Sequence, residues 1–293
     1  MSGPADTSRP STLKFWKMHG LGNDYVLVDN RDQKIREGNL GQLAKRLCER
    51  RFSIGADGLL LLYNSSVADV KMRIFNADGS EAEMCGNGIR CFAKYCYEND
   101  VVDKTELSVE TLGGMKNIWL ELQDGKVGAV KVDMGRPILE REQIPVLGEG
   151  RCIGEELEVD GATFKMTCLS VGNPHCVIFV DDVDNFPVAE LGPKIENHQL
   201  FPNRINVEFA QALGRDQLKV RVWERGVGET LACGTVACAA SVAGNLLGKT
   251  DGACVVHLLG GDLSIDYQED RILMSGPAEK AFEGSLDLRT YSK

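Results

Sequence analysis

The sequence predicts an α+β protein with many antiparallel strands, built as two similar lobes. Short runs of β-branched and aromatic residues recur between Gly, Asn and Asp residues, which is typical of strands joined by turns. Few segments show the helical period of apolar residues, and two of these follow a Cys-Gly pair. A segment of the chain also occurs twice, which predicts a repeated fold.

The individual elements follow from these patterns. We expect a flexible tail over residues 1–12, which are rich in Pro, Ser and Thr, and a helix over residues 42–50. The predicted strands are residues 25–29, 59–63, 70–75, 107–111, 118–122, 127–133, 176–180, 217–223, 253–259, 263–267 and 272–275.

Length and composition limit the class of protein. At about 150 residues per domain, 293 residues predict two domains or one large one. A hydrophobic content of 43% and a charged content of 26% allow a core and exclude disorder. The formal net charge of −10 disfavours nucleic-acid binding, and no apolar run reaches the roughly 18 residues of a membrane span. We expect a soluble protein with neither nucleic acid nor membrane as partner.

The ten cysteines would allow five disulfides in a secreted protein. The N-terminal segment has no apolar signal core, however, and a chain of this size forms a core without disulfides. We therefore expect reduced thiols in a reducing compartment. Eight of them are expected to be small buried side chains: Cys48, Cys91, Cys96, Cys152, Cys168, Cys176, Cys238 and Cys254.

The internal repeat aligns residues 71–86 with residues 219–234 without a gap. Five positions are identical: Lys71/Lys219, Arg73/Arg221, Glu81/Glu229, Cys85/Cys233 and Gly86/Gly234. Upstream of each segment a Gly-Asn pair, ending at Asn23 or Asn173, leads into an apolar strand. Duplication explains this better than chance similarity.

The duplication predicts the division of the chain. We expect an N-terminal lobe of residues 13–132 plus 279–293, and a C-terminal lobe of residues 133–278. A pseudo-two-fold axis between the lobes would bring Cys85 opposite Cys233.

Each repeated cysteine stands at the start of a predicted helix. The backbone N–H groups and the positive dipole at that end favour an anion, and they can lower the pKa of a thiol. A carboxylate held there would lie beside both sulfurs. One thiolate can then remove the proton of the carboxylate's α-carbon, and the other thiol can deliver a proton to the opposite face, which inverts the centre. This reaction requires no cofactor.

These thiols could in principle serve other functions. A zinc site favours closer cysteine spacings than those present here, so no metal is expected. A cysteine nucleophile with His175 as its base is conceivable, but the repeat pairs Cys with Cys. A disulfide between Cys85 and Cys233 is expected only as an oxidised side state.

The chain resembles the diaminopimelate epimerase family from about Leu13 to Leu288. The resemblance rests on MHGLGNDYVLVDNRD from Met18, RIFNADGSEAEMCGNGIRCFA from Arg73, GNPHCVIFVDD from Gly172, RINVEF from Arg204 and WERGVGETLACGTVACAA from Trp223. Their combination is highly specific, and the GADG and EMCGNG motifs are similar to those of the plant and cyanobacterial branch.

The resemblance implies a cofactor-independent epimerase that interconverts L,L- and meso-2,6-diaminopimelate in lysine biosynthesis. It also implies the family's fold, in which each lobe is a mostly antiparallel β-sheet or barrel wrapped around a central helix. Cys85 and Cys233 match the catalytic thiols, and His175 and Glu224 match positions that tune the thiols and the substrate amine. The matched substrate-binding residues are Asn23, Asn76, Gly86, Asn87, Asn173, Asn206, Glu224, Arg225, Gly234 and Thr235.

The chain departs from the family pattern at two positions, and rival families share parts of that pattern. Many members have Gly where this chain has Val236, and many bacterial members have Gln where it has Gly58. The main rival is a proline racemase-type enzyme, which usually has His at the position of Asn87. There are two further rivals. One is a phenazine-biosynthesis isomerase type, which lacks the paired cysteines, and the other is a non-enzymatic thiol-redox or metal-binding protein. Family resemblance also implies a homodimer, in the cytoplasm or in the plastid stroma for a plant-lineage protein.

Overall fold

The computed structural model describes residues 12–268 and 270–291. The predicted tail, residues 1–12, lies outside this range except for Thr12, which begins the first strand. The chain divides into two units, Met1–Gly128 with Ala278–Lys293 and Ala129–Pro277. The division lies inside the strand Lys126–Gly135, and the division predicted after residue 132 falls inside the same strand.

The described residues of the first part of unit 1, from Thr12 onward, form seven strands and two helices. The strands are β1 (Thr12–Gly20), β2 (Asn23–Asp29), β3 (Gly58–Tyr63), β4 (Val70–Asn76), β5 (Glu81–Ala82), β6 (Glu106–Thr111) and β7 (Gly114–Gln123). The helices are α1 (Leu40–Cys48), which a 3-10 turn precedes, and α2 (Gly86–Glu98).

Unit 2 contains most of the remaining elements. Its strands are β8 (Lys126–Gly135), β9 (Cys152–Val159), β10 (Ala162–Ser170), β11 (Pro174–Phe179), β12 (Asn206–Gly214), β13 (Gln217–Glu224), β14 (Gly228–Glu229), β15 (Ala253–Leu258), β16 (Gly261–Gln268) and β17 (Arg271–Gly276). Its helices are α3 (Val188–Glu196) and α4 (Gly234–Leu246). The chain then adds β18 (Glu279–Asp287) and the short α5 (Leu288–Tyr291) to unit 1.

The two units repeat one topology. In unit 1, β2 pairs parallel with β3, β3 antiparallel with β4, β4 antiparallel with β5 and parallel with β6. In unit 2, β11 pairs parallel with β12, β12 antiparallel with β13, β13 antiparallel with β14 and parallel with β15. A helix follows β5 in one unit and β14 in the other, and the remaining pairings in both units are antiparallel. The predicted α+β fold with largely antiparallel strands is confirmed.

The register of the parallel pairs identifies equivalent positions. Tyr25 lies opposite Gly58 in unit 1, and His175 lies opposite Asn206 in unit 2. Each of Tyr25 and His175 also stands two residues after the Asn of a Gly-Asn pair. Tyr25 is therefore the counterpart of His175, and Gly58 is the counterpart of Asn206.

The helices that follow the cysteines are buried against the sheets. Helix α4 is rich in Ala and Gly and packs against β10 to β13 and β15 to β17, so its small side chains let strands approach closely on several sides. Helix α2 packs against β1 to β4 and β7. Strand β3 lies between α1 and α2, which explains why its four leucines are fully buried without alternation. Within the described residues, no helix has the length and apolar character needed to cross a bilayer.

Candidate active site

The ten cysteines, all of which lie in the described part of the chain, fall into two groups. Eight are buried, and only Cys85 and Cys233 are partly exposed. Burial raises the pKa of Cys48 and of Cys91 to about 12, so these thiols stay protonated at neutral pH. The two accessible sulfurs are the two that the repeat singles out.

Each of these cysteines is the N-cap residue of a helix. Cys85 precedes α2 with φ −141° and ψ 124°, and Cys233 precedes α4 with φ −138° and ψ 130°. The first intrahelical bonds run from the Ile89 N–H to the Cys85 carbonyl (2.9 Å) and from the Ala237 N–H to the Cys233 carbonyl (3.2 Å). The N–H groups before them point out of the helix end, where they favour an anion.

The Arg and Glu residues of the repeat pair with each other in both units. Arg73 donates to Glu81 at 2.7 Å across β4 and β5, and Arg221 donates to Glu229 at 2.7 Å across β13 and β14. Each ion pair closes the short hairpin that leads to a cysteine. The repeated Arg and Glu residues therefore hold the turn in front of each thiol.

Asn23 connects the residues around Cys85. Its Nδ2 donates to Asp57 Oδ2 at 2.8 Å, and its Oδ1 accepts from Asn87 Nδ2 at 3.2 Å and from the Tyr25 hydroxyl. The Cys85 Sγ lies 3.8 Å from the same Oδ1. The structure thus brings the predicted Asn23, Cys85 and Asn87 into one polar cluster, in which the Asn23 amide has a fixed orientation.

Tyr25 belongs to this cluster and was not among the predicted site residues. Its hydroxyl lies 2.9 Å from Cys85 Sγ, and the residue is only 3% exposed. Burial, followed by the neighbouring Cys85, raises the pKa of Tyr25 well above its ordinary value of 10. In the sequence, Tyr25 aligns with His175, because each stands two residues after the Asn of a Gly-Asn pair. A search for identical residues in the repeat does not detect this match.

A buried arginine stabilises this polar cluster. The Arg90 guanidinium is fully buried and donates to Asn87 Oδ1 (2.9 Å) and to the Gly86 carbonyl (3.1 Å). Asn87 is therefore held by Arg90 on one side and by Asn23 on the other. Asn76, also predicted, ends β4 opposite Gly58 and donates to Ser80 Oγ at 3.0 Å.

His175 occupies the position in unit 2 that Tyr25 has in unit 1. Its Nε2 lies 2.9 Å from Asn173 Oδ1, which can only accept, and its Nδ1 lies 2.6 Å from Glu208 Oε1. Nε2 therefore donates, and Nδ1 and Oε1 share one proton. Both ring nitrogens are engaged, which disfavours His175 as the base of a cysteine nucleophile. Burial raises the pKa of Glu208, and the nearby His175 opposes this rise.

Asn206 holds the backbone of the adjacent loop. Its Nδ2 donates to the Pro174 carbonyl at 2.8 Å, and its Oδ1 accepts from the Arg225 N–H at 2.9 Å. The exposed Arg225 guanidinium donates to the Asn203 carbonyl at 3.2 Å, and Glu224 accepts from the Thr230 hydroxyl. Asn206 thereby positions the main chain of two neighbouring predicted residues, Glu224 and Arg225.

The two departures from the family pattern lie next to residues of the candidate site. Val236 is fully buried in the first turn of α4, next to Thr235, whose Oγ1 lies 3.3 Å from Cys233 Sγ. A Cβ at Gly58 would lie 2.9 Å from the Phe75 carbonyl oxygen and 3.3 Å from the Tyr25 ring. The absence of a side chain at Gly58 therefore makes room for Tyr25.

Comparisons of the sequence with known sequences agree on one family. The sequence model of the family described as Diaminopimelate epimerase matches residues 15–140 and 167–281. The chain is 54% identical over 279 residues to the Diaminopimelate epimerase of Moorella thermoacetica, covering 94% of this chain and 100% of that one. It is 50% identical over 279 residues to the protein of the same name from Methanococcus maripaludis, with 94% and 100% covered. These relatives are bacterial and archaeal.

Solved structures share the fold at low sequence identity. A phenazine biosynthesis protein of the PhzF family from Bacillus anthracis has a TM-score of 0.69 at 18% identity, covering 94% of this chain and 99% of that one. A hydroxyproline epimerase from Agrobacterium vitis has a TM-score of 0.67 at 13% identity, with 94% and 91% covered. At these identities the likeness concerns the fold alone.

Proposed function

The chain belongs to the diaminopimelate epimerase family, and we propose that Cys85 and Cys233 are the two acid–base groups of its reaction. Its activity is that of a diaminopimelate epimerase, an isomerase of lysine biosynthesis. The reaction interconverts L,L- and meso-2,6-diaminopimelate by inverting one α-carbon.

One observation carries the assignment of the two thiols. Each unit has a single partly exposed cysteine, and each of these caps a helix in nearly the same backbone conformation. Two groups that exchange the roles of acid and base both need access to the substrate from an equivalent backbone position, because the product of one direction is the substrate of the other.

The proposed reaction balances with two thiols and no further reactant. One cysteine, as a thiolate, takes the α-proton and becomes a thiol. The other, as a thiol, gives its proton to the opposite face of the same carbon and becomes a thiolate. The negative charge that develops on the substrate carboxylate in between is stabilised by backbone N–H groups aimed at it. We assign this role to the helix starts at Gly86-Asn87 and Gly234-Thr235.

The remaining predicted residues are proposed to bind substrate. The Arg225 guanidinium is exposed and suits the distal carboxylate of diaminopimelate as a bidentate partner. Glu224 and the amide oxygen of Asn76 suit the distal ammonium, which only donates. Asn23 and Asn173 are each the Asn of a Gly-Asn pair, and Asn206 supports the Arg225 loop. The contact of His175 with Asn173 supports a tuning role for His175 through that amide.

The test is inversion and exchange of the α-proton in D2O, with the reduced and metal-free protein. With two bases, deuterium enters the product while the unreacted substrate keeps its hydrogen at early conversion. Cys85→Ala and Cys233→Ala should each abolish inversion. Cys254→Ala is the matched control, because Cys254 is buried and has Ser241 as its hydrogen-bond partner. Full inversion by either of the first two variants would refute the two-base proposal.

The same assay distinguishes this function from that of a proline racemase-type enzyme. Free proline lacks the distal amino and carboxylate groups, so it should be inverted far more slowly than diaminopimelate. Equal turnover of the two amino acids would favour the racemase type.

Several finer assignments remain proposals. We propose a homodimer, which the mass in solution tests, and a reducing compartment, either cytoplasm or plastid stroma. The plant or cyanobacterial branch stays a prediction that rests on the GADG and EMCGNG wording alone, whereas the relatives from Moorella and Methanococcus are bacterial and archaeal. The two lobes are proposed to derive from a duplication, which their equivalent strand pairings support.

A further inference from the structure

A tyrosine hydroxyl lies against the thiol of unit 1. The Tyr25 Oη is 2.9 Å from Cys85 Sγ, and the same hydroxyl donates to Asn23 Oδ1. We propose that Tyr25 is a positioning residue that stabilises the Cys85 thiolate and orients the Cys85 thiol during epimerisation. The inference rests on the proposed acid–base role of Cys85.

The hydroxyl can serve both protonation states of the sulfur. When Cys85 is a thiol, the Tyr25 O–H donates to Asn23 Oδ1, and the phenol oxygen can accept from the S–H group. When Cys85 is a thiolate, rotation of the same O–H turns its proton toward the sulfur. No covalent bond to the phenol changes, so the only proton transferred in the reaction is the one on the sulfur.

The surrounding amides allow this rotation at little cost. When the phenol proton turns to the sulfur, Asn23 Oδ1 still accepts from Asn87 Nδ2 at 3.2 Å. The Asn23 amide is held in place by the bond from its Nδ2 to Asp57 Oδ2 (2.8 Å). The Asn87 amide in turn is held by Arg90. No buried acceptor of this cluster loses its last donor, which would otherwise be unfavourable.

Tyr25 acts as a donor and not as a third acid–base group. Burial, together with the adjacent Cys85, raises the pKa of Tyr25 well above 10, so the phenol stays protonated at neutral pH. A hydrogen bond from a neutral donor to a charged acceptor is stronger than one between neutral groups. The contact therefore favours the thiolate over the thiol.

Gly58 and the second unit support a specific role for this tyrosine. The ring is packed at van der Waals distance over Gly58, where any Cβ would meet it at 3.3 Å. At the equivalent position unit 2 has His175, which contacts Asn173 and Glu208, and the hydroxyl beside Cys233 belongs to Thr235 at 3.3 Å. The duplicated frame thus holds different hydrogen-bonding groups near its two thiols.

The test measures the reactivity of the two thiols separately. Alkylation by iodoacetamide is followed peptide by peptide by mass spectrometry from about pH 6 to 10, because only the thiolate reacts. In Tyr25→Phe, which removes only the hydroxyl, the pH midpoint of Cys85 alkylation should rise by about one unit, so that alkylation at neutral pH slows about tenfold. The Cys233 profile in the same sample should not move. The midpoint of the acid limb of the kcat/KM profile for diaminopimelate should move to higher pH together with the Cys85 midpoint.

Tyr63→Phe is the matched control. It removes another tyrosine hydroxyl of unit 1, which accepts from Asn30 Nδ2 at 2.9 Å, and it should leave both alkylation profiles unchanged. Should Tyr25→Phe fail to fold, 3-fluorotyrosine at position 25 keeps the ring and donates more strongly, so it should lower the Cys85 midpoint.

The outcomes separate this inference from the proposed function. An unchanged Cys85 midpoint in the variant, or equal shifts at Cys85 and Cys233, overturns the role of Tyr25. A shifted midpoint with an unchanged kcat/KM profile overturns its part in catalysis. Absence of inversion by the unaltered protein would instead overturn the proposed function, since alkylation needs no substrate.

Discussion

Asp24 supports the cluster around Cys85 through charge, and its replacement has a calculable effect. Its carboxylate accepts from Lys17 Nζ at 2.7 Å, from Arg50 Nη2 at 2.6 Å and from the Asp57 N–H at 3.0 Å. Burial alone would raise the pKa of Asp24, but the bonds from Arg50 and Lys17 outweigh burial and lower it from 3.8 to about 2. We predict that Asp24→Asn destabilises the fold.

The magnitude follows from the difference between the two pKa values, which corresponds to about 2 kcal/mol at neutral pH. Because the folded-state pKa lies below the unfolded one, this contribution is complete above the ordinary value of 3.8 and is lost as the pH falls through about 2. The loss in Asp24→Asn should therefore be about 2 kcal/mol at pH 7 and about half of that near pH 3.

Guanidinium unfolding of the unaltered and variant proteins at several pH values measures this difference. Asp32→Asn is the matched control, because the Asp32–Lys34 pair is far more exposed and should contribute less than about 1 kcal/mol. A loss below about 0.5 kcal/mol in Asp24→Asn at pH 7 would refute the reasoning, as would a loss that stays constant toward pH 3.

Three further substitutions have expected outcomes. Gly58→Ala should lower the free energy of unfolding by about 1–3 kcal/mol in denaturant titration, because its Cβ would meet a carbonyl oxygen at 2.9 Å; full stability would show that this contact relaxes. Asn206→Ala should raise KM for diaminopimelate and cost about 1 kcal/mol, because the Arg225 N–H loses its acceptor; an unchanged KM would contradict this, and Asn206→Asp should also lose stability, because a carboxylate cannot donate to the Pro174 carbonyl. Glu208→Gln should cost about 1–3 kcal/mol by weakening the buried bond to His175, and a rise in thermal stability would contradict this.

Apolar runs predicted eleven of the strands in the described residues, although the apolar strands β1, β10 and β12 were missed. The runs that became β2, β3 and β4 are dominated by Val, Leu, Ile and aromatic residues, so the pattern found them. Strands β9 and β18 were missed because Glu and Gly interrupt them, and most of β18 faces solvent. Helix α3 contains Pro193, which normally argues against a helix. Pairing with neighbouring chain segments decides the structure of such elements.

The site was predictable where the repeat preserved the residue type. Cys85 and Cys233, with the Arg and Glu residues before them, are identical in both copies, and the Arg–Glu pairs have the same geometry. Tyr25 was missed because its counterpart is a histidine, and repeat matching rewards identity. Glu208 was missed because its contact with His175 depends on the register between β11 and β12, which the sequence does not contain.

The repeated topology has a consequence for how such a reaction can evolve. A dimer of identical halves would change both copies of a position with every mutation. Under the proposed duplication the two halves belong to one chain, so Tyr25 and His175 could diverge while the Arg–Glu hairpins stayed the same. The affinity of the thiol for a proton can then differ between the two halves. A resting protein with one protonated sulfur and one ionised sulfur is a state that strict symmetry would not favour, and two-base inversion has to begin from it.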